Sequence, residues 1–155
     1  MAEPESPETE ARRAMMHTLA HARDGELQPM LEMLDRSLPA FTDLRPPETG
    51  LVMVRGRIGG DGQPFNLGEA TVTRAAVRLE TGETGFSYML GRRPEAARLS
   101  ALVDALWQMQ SWRASIEERV LAPLRDRQMR EASLRDAETA ATKVDFFTVA
   151  RGEDA

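Results

Sequence analysis

The sequence predicts an α+β domain in which N-terminal helices precede a small antiparallel β-sheet, followed by C-terminal helices with an extended arm. Three observations predict this order: apolar residues recur at helical spacing near the N-terminus, alternate with other residues around the middle, and return to helical spacing after Gly91. With 155 residues, of which 41% are hydrophobic, the chain is long enough for one compact domain with room for an arm.

The N-terminal part predicts a disordered tail and two helices. Residues 1–8 are acidic and contain proline, which is typical of a frayed tail. A first helix is expected from about Thr9 to Ala22, before the breaking pair Asp24-Gly25. A second, short helix follows, with its apolar stripe between Leu27 and Leu34. Pro29 falls in its first turn, where a missing N–H costs little.

The central part predicts strands joined by short turns. Phe41 to Leu44 is expected to form a short strand, after which Pro46-Pro47 interrupts the chain. Leu51 to Ile58 is expected to form a clearer strand. Phe65 to Leu79 and Thr84 to Leu90 are the next two strands. Because short turns separate consecutive strands, we expect an antiparallel meander.

The C-terminal part predicts helices again. Pro94 suits the first turn of a helix whose apolar stripe is wide enough to cover a sheet face. A further helix is expected over Ile116–Leu121, with a kink or restart at Pro123. The helical pattern beyond it has few apolar residues to bury. We therefore place the α+β domain at residues 9–112 and a C-terminal helical arm with an interaction tail at 113–155.

The charge distribution and composition exclude several classes of protein. Residues 1–49 hold ten acidic residues and five arginines, whereas residues 50–93 hold four acidic residues and six arginines. This uneven pattern, within a net charge of −5, argues against general nucleic-acid binding but permits one local anion site. No apolar run is long enough for a transmembrane helix, and the N-terminus lacks the features of a secretory signal. We therefore expect a cytoplasmic protein.

Four arginines in the sheet region form the candidate anion or partner contact. Arg55 and Arg57 share one face of a strand, and Arg74 and Arg78 share a face of the next. If the strands are neighbours, their guanidinium groups would converge on a phosphate or on an acidic partner surface. The alternative is a solvated outer sheet face on which nearby glutamates act as counter-charges.

Other candidate sites are weaker. His17 and His21 are four residues apart and would face one side of a helix, but the chain has no cysteine and no suitably spaced carboxylate nearby. A solvated helix face is favoured, and no metal is expected. Residues 59–62 lack the Gly-Lys-Ser/Thr of a phosphate loop, so a hairpin turn is favoured. No serine–histidine–acid arrangement is recognisable, so the catalytic residues are unknown.

The C-terminal arm ends in an apolar segment. Residues 113–143 hold seven basic and six acidic residues, and the segment Val144-Asp145-Phe146-Phe147 follows. The apolar side chains of Val144, Phe146 and Phe147 would be exposed beyond a polar helix unless they fold back or dock on a partner or a second copy. Both alternatives remain open at this point.

Several blocks of sequence resemble one known family. The resemblance runs from roughly Thr9 to the end of the chain, and its main blocks are Glu48–Val52, Gly68–Leu79, Gly85–Tyr88, Ala101–Leu106 and Lys143–Thr148. In these blocks the chain is similar to the PhnG family of the carbon–phosphorus lyase system, which degrades phosphonates.

The resemblance implies a place in a larger assembly. Members of that family belong to a core complex with PhnH, PhnI and PhnJ. With PhnI, PhnH and PhnL they take part in displacing adenine from ATP by a phosphonate, which yields a ribose 1-phosphonate 5-triphosphate. ATP is then a substrate of the assembled complex, and no cofactor is expected on this chain. The absence of cysteine agrees with iron–sulfur chemistry residing in PhnJ.

Three roles are compatible with these observations to different degrees. The chain is either an accessory or purely structural subunit of that synthase, inactive alone, or a subunit that lends arginines to a shared active site. Self-association is also possible. A winged-helix regulator is disfavoured, because its recognition helix would carry Glu26, Glu32 and Asp35 against Arg36 and would repel phosphates.

Overall fold

The computed structural model describes residues 6–34, 37–59 and 62–142. Its elements follow the predicted order of helices, sheet and helices, and this confirms the α+β class. They are α1 (Pro7–Ala20), α2 (Leu27–Glu32), β1 (Phe41–Arg57), β2 (Pro64–Leu79), β3 (Thr84–Leu90), α3 (Pro94–Gln108), α4 (Gln110–Ile116), a π-helical turn (Glu117–Leu121) and α5 (Ala122–Ala141).

Helix α1 begins at Pro7, two residues before the predicted start at Thr9. Ser6 caps it, since its hydroxyl accepts a hydrogen bond from the backbone N–H of Thr9 at 3.2 Å. A serine cap followed by proline at the first helical position is a recognised start signal. Glu8, which the sequence placed in the disordered tail, is helical and forms an ion pair with Arg113.

The three strands form an antiparallel sheet in the order β1-β2-β3, as the predicted meander requires. The prediction of two separate strands around Pro46-Pro47 was wrong, because β1 runs through both prolines. Within the described sheet β1 is an edge strand, where proline needs no partner for its missing N–H. Register shifts on either side of Arg45 keep both prolines out of the ladder with β2.

Helix α3 packs across one face of the sheet and forms the centre of the core. Its buried residues include Ala97, Ala101 and Leu102, which meet Val77 of β2 and Met89 of β3 in one apolar cluster. The connection from β3 to α3 is fixed by the buried Thr73, whose hydroxyl donates to the Gly91 carbonyl at 2.7 Å and accepts from the Arg93 N–H at 2.9 Å.

The C-terminal helices differ from the prediction. A helix over Ile116–Leu121 was expected, but those residues span the end of α4 and a π-helical turn. Proline cannot donate to the carbonyl four residues before it, and its ring crowds that carbonyl, so the wider turn just before Pro123 accommodates both effects. The core extends through this turn to Leu124, and the domain boundary at residue 112 stays a prediction.

None of the helices within residues 6–34 and 62–142 combines the length and hydropathy that membrane crossing requires.

Candidate functional site

Strands β1 and β2 continue beyond the end of β3 as a two-stranded projection. β3 pairs with β2 only from Val72 to Arg78, whereas β1 and β2 remain paired out to Arg57 and Pro64. The six residue steps from Leu51 to Arg57 span roughly 20 Å at about 3.3 Å each. We call residues 50–57 of β1 and 64–71 of β2 the β-ribbon.

The β-ribbon exposes apolar side chains on both of its faces. Leu51 and Met53, which are 63% and 54% exposed, point to the side that carries α3 at the base of the sheet. Val52 and Val54 point to the opposite side, and Val54 is 37% exposed. Leu67 on β2 is 66% exposed. Because full burial of one such side chain contributes roughly 1.5–3 kcal/mol, the ribbon has much to gain from a partner.

A two-stranded ribbon without a covering layer is marginally stable in water. The contacts that the β-ribbon makes within the described chain therefore do not account for its many apolar side chains. Exposed apolar patches of this kind mark interaction surfaces.

The outer face of the sheet continues this apolar surface. β3 presents Phe86, Tyr88 and Leu90 on the side away from α3, and they are 50%, 49% and 70% exposed. Leu90 lies opposite Val72, at the point where the β-ribbon leaves the three-stranded sheet. The outer face of the sheet and the face of the β-ribbon that carries Val52 and Val54 therefore lie on the same side.

The four arginines proposed from the sequence do not converge as one group. Arg74 lies opposite Glu48, and Arg55 follows Glu48 by seven residues on β1, so at least roughly 23 Å separates the two pairs. Arg74 forms an exposed ion pair with Glu48 at 3.1 Å, which contributes at most about 1 kcal/mol. Arg78 is exposed beside Thr42 at the base of the sheet. A contact role for each pair stays a prediction.

Arg55 and Arg57 lie near the tip of the β-ribbon, opposite Asn66 and Pro64. Both side chains are exposed. Within residues 6–34, 37–59 and 62–142, neither has an ion pair or a side-chain hydrogen bond. Two cations that no described residue neutralises therefore lie at the end of an apolar projection.

An open groove of about 980 Å³ lies between helices α1 and α5. His17 and His21 line it, with their ring centroids 4.6 Å apart, and Nδ1 of His21 donates to the His17 carbonyl at 2.9 Å. In the described part of the chain, no group of three or more histidine, cysteine or acidic side chains is placed to hold a metal. The expectation of no metal stays a prediction.

Arg127 fixes the first half of α5 against the N-terminal helices. Its guanidinium contacts Glu26 at 2.6 Å and Glu131 at 2.8 Å and donates to the His21 carbonyl. Burial lowers the pKa of Arg127, but its hydrogen bonds to Glu131 and Glu26 more than offset this and leave the pKa raised. The hydrogen bond to Arg127 in turn lowers the pKa of Glu131. Beyond Ala132 the side chains of α5 are exposed, so its second half projects as a polar arm.

The proposed docking residues Val144, Phe146 and Phe147 lie outside the described residues. The sequence analysis missed the β-ribbon as an apolar surface. Its signal was the run Leu51-Val52-Met53-Val54, which is apolar at every position rather than at every second one. Such a run indicates a strand that is covered on both faces.

Comparisons with known proteins agree on one family. The sequence model of the family described as phosphonate metabolism protein PhnG matches residues 10–152. A relative from Rhizobium meliloti (strain 1021) is named alpha-D-ribose 1-methylphosphonate 5-triphosphate synthase subunit PhnG. It is 53% identical over 146 residues, which cover 92% of this chain and 90% of that protein.

Proposed function

Because the chain belongs to the PhnG family of phosphonate metabolism proteins, we propose that it is a subunit of an alpha-D-ribose 1-methylphosphonate 5-triphosphate synthase. The observation that carries this proposal is the 53% identity to a PhnG subunit across 90% of that subunit's length. A match of this extent includes the β-ribbon, the α3 core and α5 rather than one shared motif.

The structure supports a subunit that works through its surfaces. Two projections of the described chain, the β-ribbon and the second half of α5, expose most of their side chains. A subunit that completes its packing in an assembly would carry such projections. We propose that this chain supplies contacts to the synthase and does not catalyse the reaction alone.

The proposed partners and reaction are those of the PhnG family. The proposed partners are PhnI, PhnH and PhnJ in a core complex, with PhnL acting in the same reaction. In that reaction a phosphonate displaces adenine from ATP, and ATP is a substrate of the assembled complex rather than of this chain alone. We propose that this chain binds no cofactor and no nucleic acid, and that it acts in the cytoplasm.

Reconstitution tests this proposal. The purified chain alone is expected to release no adenine from ATP in the presence of methylphosphonate. The partner subunits co-expressed with the chain are expected to release adenine, and the same preparation without it to lose most of that activity. Adenine release is measured by chromatography, and co-purification through an affinity tag on the chain is measured in parallel. Full activity of the partners without the chain, with no co-purification, would contradict the proposal.

Deletion of residues 143–155 tests the proposed docking of Val144, Phe146 and Phe147. The shortened chain is expected to bind the partner subunits at least about tenfold more weakly, because two aromatic anchors are removed from the interface. Its thermal unfolding is expected to match that of the full chain if these residues dock on a partner. Binding at full affinity would rule out the docking role, and a large fall in Tm would favour fold-back on the chain's own surface.

A further inference from the structure

We propose that the β-ribbon inserts into an apolar cleft of a partner subunit, and that carboxylates at the far end of this cleft receive Arg55 and Arg57. This inference rests on the proposed function, since it concerns how the subunit is held in its assembly. It assigns an interface to residues 50–57 and 64–71 and states the chemistry of the surface that faces them.

The distribution of apolar side chains determines the shape of the partner site. Leu51 and Met53 lie on one face of the β-ribbon, and Val52 and Val54 lie on the other. A flat surface that packs against one face would leave the other in water. Only a cleft that encloses the ribbon buries both faces, and full burial is what the apolar run requires.

The two arginines determine the charge of that site. Arg55 and Arg57 project near the tip of the ribbon, and no described residue of the chain neutralises either of them. A cation that enters an apolar cleft without a partner charge is strongly disfavoured. The guanidinium group fits a carboxylate through two parallel hydrogen bonds, so acidic residues on the partner are the matching feature.

The open groove between α1 and α5 of a second copy does not match this chemistry. The groove between α1 and α5, with a volume of about 980 Å³, is lined by four arginines and two glutamates. Glu131 is already paired with Arg127 and Arg23, so Glu10 is the one other lining carboxylate that could meet two incoming arginines. The occupant is therefore a different subunit with an acidic, apolar-walled cleft.

Two double variants test the two parts of the proposal. Leu51→Thr with Met53→Thr removes apolar area from one face while keeping residues that favour strands. Arg55→Glu with Arg57→Glu reverses the tip charge. Since all four side chains are exposed, the free chain is expected to keep its wild-type Tm. The control pairs Met33→Thr with Arg130→Glu, two exposed positions of the same residue types at the end of α2 and on α5, away from the ribbon.

The measurement is the Kd between each purified variant and the co-expressed partner subunits. Both ribbon variants are expected to raise Kd by at least about tenfold, and the control is expected to leave it unchanged. Added salt should weaken binding of the wild type and narrow the gap to the charge-reversed variant, because screening reduces both attraction and repulsion.

The outcomes separate this inference from the proposed function. If the wild type binds and supports adenine release while both ribbon variants bind equally well, the ribbon interface is wrong and the proposed function stands. If the wild type neither binds nor is needed for adenine release, both fail. The free chain could also be a dimer that the ribbon variants convert to a monomer. That result would show that the ribbon binds a second copy of the chain and not a different subunit.

Discussion

Replacement of Asp104 by alanine is expected to lower the free energy of unfolding of the isolated chain by about 3–5 kcal/mol. The carboxylate is fully buried on α3 and joins three elements. Oδ1 accepts from Nε of Arg12 at 2.9 Å, and Oδ2 accepts from a second guanidinium nitrogen of Arg12 at 2.8 Å. Oδ2 also accepts from the backbone N–H of Phe86 at 2.8 Å.

The loss is large because removal of Asp104 leaves three N–H donors, two on Arg12 and one on Phe86, without an acceptor. The hydrogen bond to Asp104 raises the pKa of Arg12, so this guanidinium stays protonated and is left partly buried without its counter-charge. The N–H of Phe86 loses its acceptor at the edge of β3. Asp104→Asn is expected to cost less, because its amide oxygen still accepts one hydrogen bond.

Urea unfolding monitored by circular dichroism measures this effect. Asp136→Ala is the matched control, since Asp136 is exposed on the projecting half of α5, and a change within about 0.5 kcal/mol is expected there. A loss below about 1 kcal/mol for Asp104→Ala would show that the surroundings rearrange to satisfy the three donors.

Replacement of Gly85 by alanine is expected to destabilise the chain by about 3 kcal/mol or more, at the upper end of overpacking effects. An added Cβ would lie 1.9 Å from the carbonyl oxygen of Ala101 and 2.5 Å from the backbone nitrogen of Ala105. Because both atoms belong to the backbone of α3, no side-chain rotation relieves the clash. Either β3 or α3 must move, and the core between them opens.

Gly50→Ala is the control for this substitution. Gly50 also lies in a strand, but an added Cβ meets no atom within 4 Å. Its change in unfolding free energy is expected to remain within about 0.5 kcal/mol. A folded Gly85→Ala chain of wild-type stability would mean that β3 and α3 are not held at the distance the structure gives.

Much of the fold was predictable because local patterns agreed with the final arrangement. The sheet followed from alternating residues and short turns, and α3 followed from Pro94 and a wide apolar stripe. The prediction of β1 was wrong because the effect of a proline on a strand depends on whether a neighbouring strand pairs with it. Pro46 and Pro47 end a central strand but are tolerated in an edge strand, and the sequence does not state which strand is at the edge.

Asp104 shows the same dependence in the core. A charged residue within the apolar run Ala101–Leu106 is visible in the sequence, yet its partners are not. Arg12 lies 92 residues earlier in the chain, and Phe86 contributes only a backbone N–H. No spacing rule connects groups that meet only when α1, α3 and β3 have packed.

By itself the sequence determined the α+β class, the order of the elements and the family, because each of these rests on local periodicity or on matching blocks of residues. Only the tertiary structure decided where β3 stops pairing with β2, and therefore which apolar residues remain uncovered. It also decided that Arg55 lies roughly 23 Å from Arg74, and that Arg78 lies still farther from the ribbon tip. The physical reason is that exposure and convergence depend on strand register and on the extent of the covering layer, which distant parts of the chain establish together.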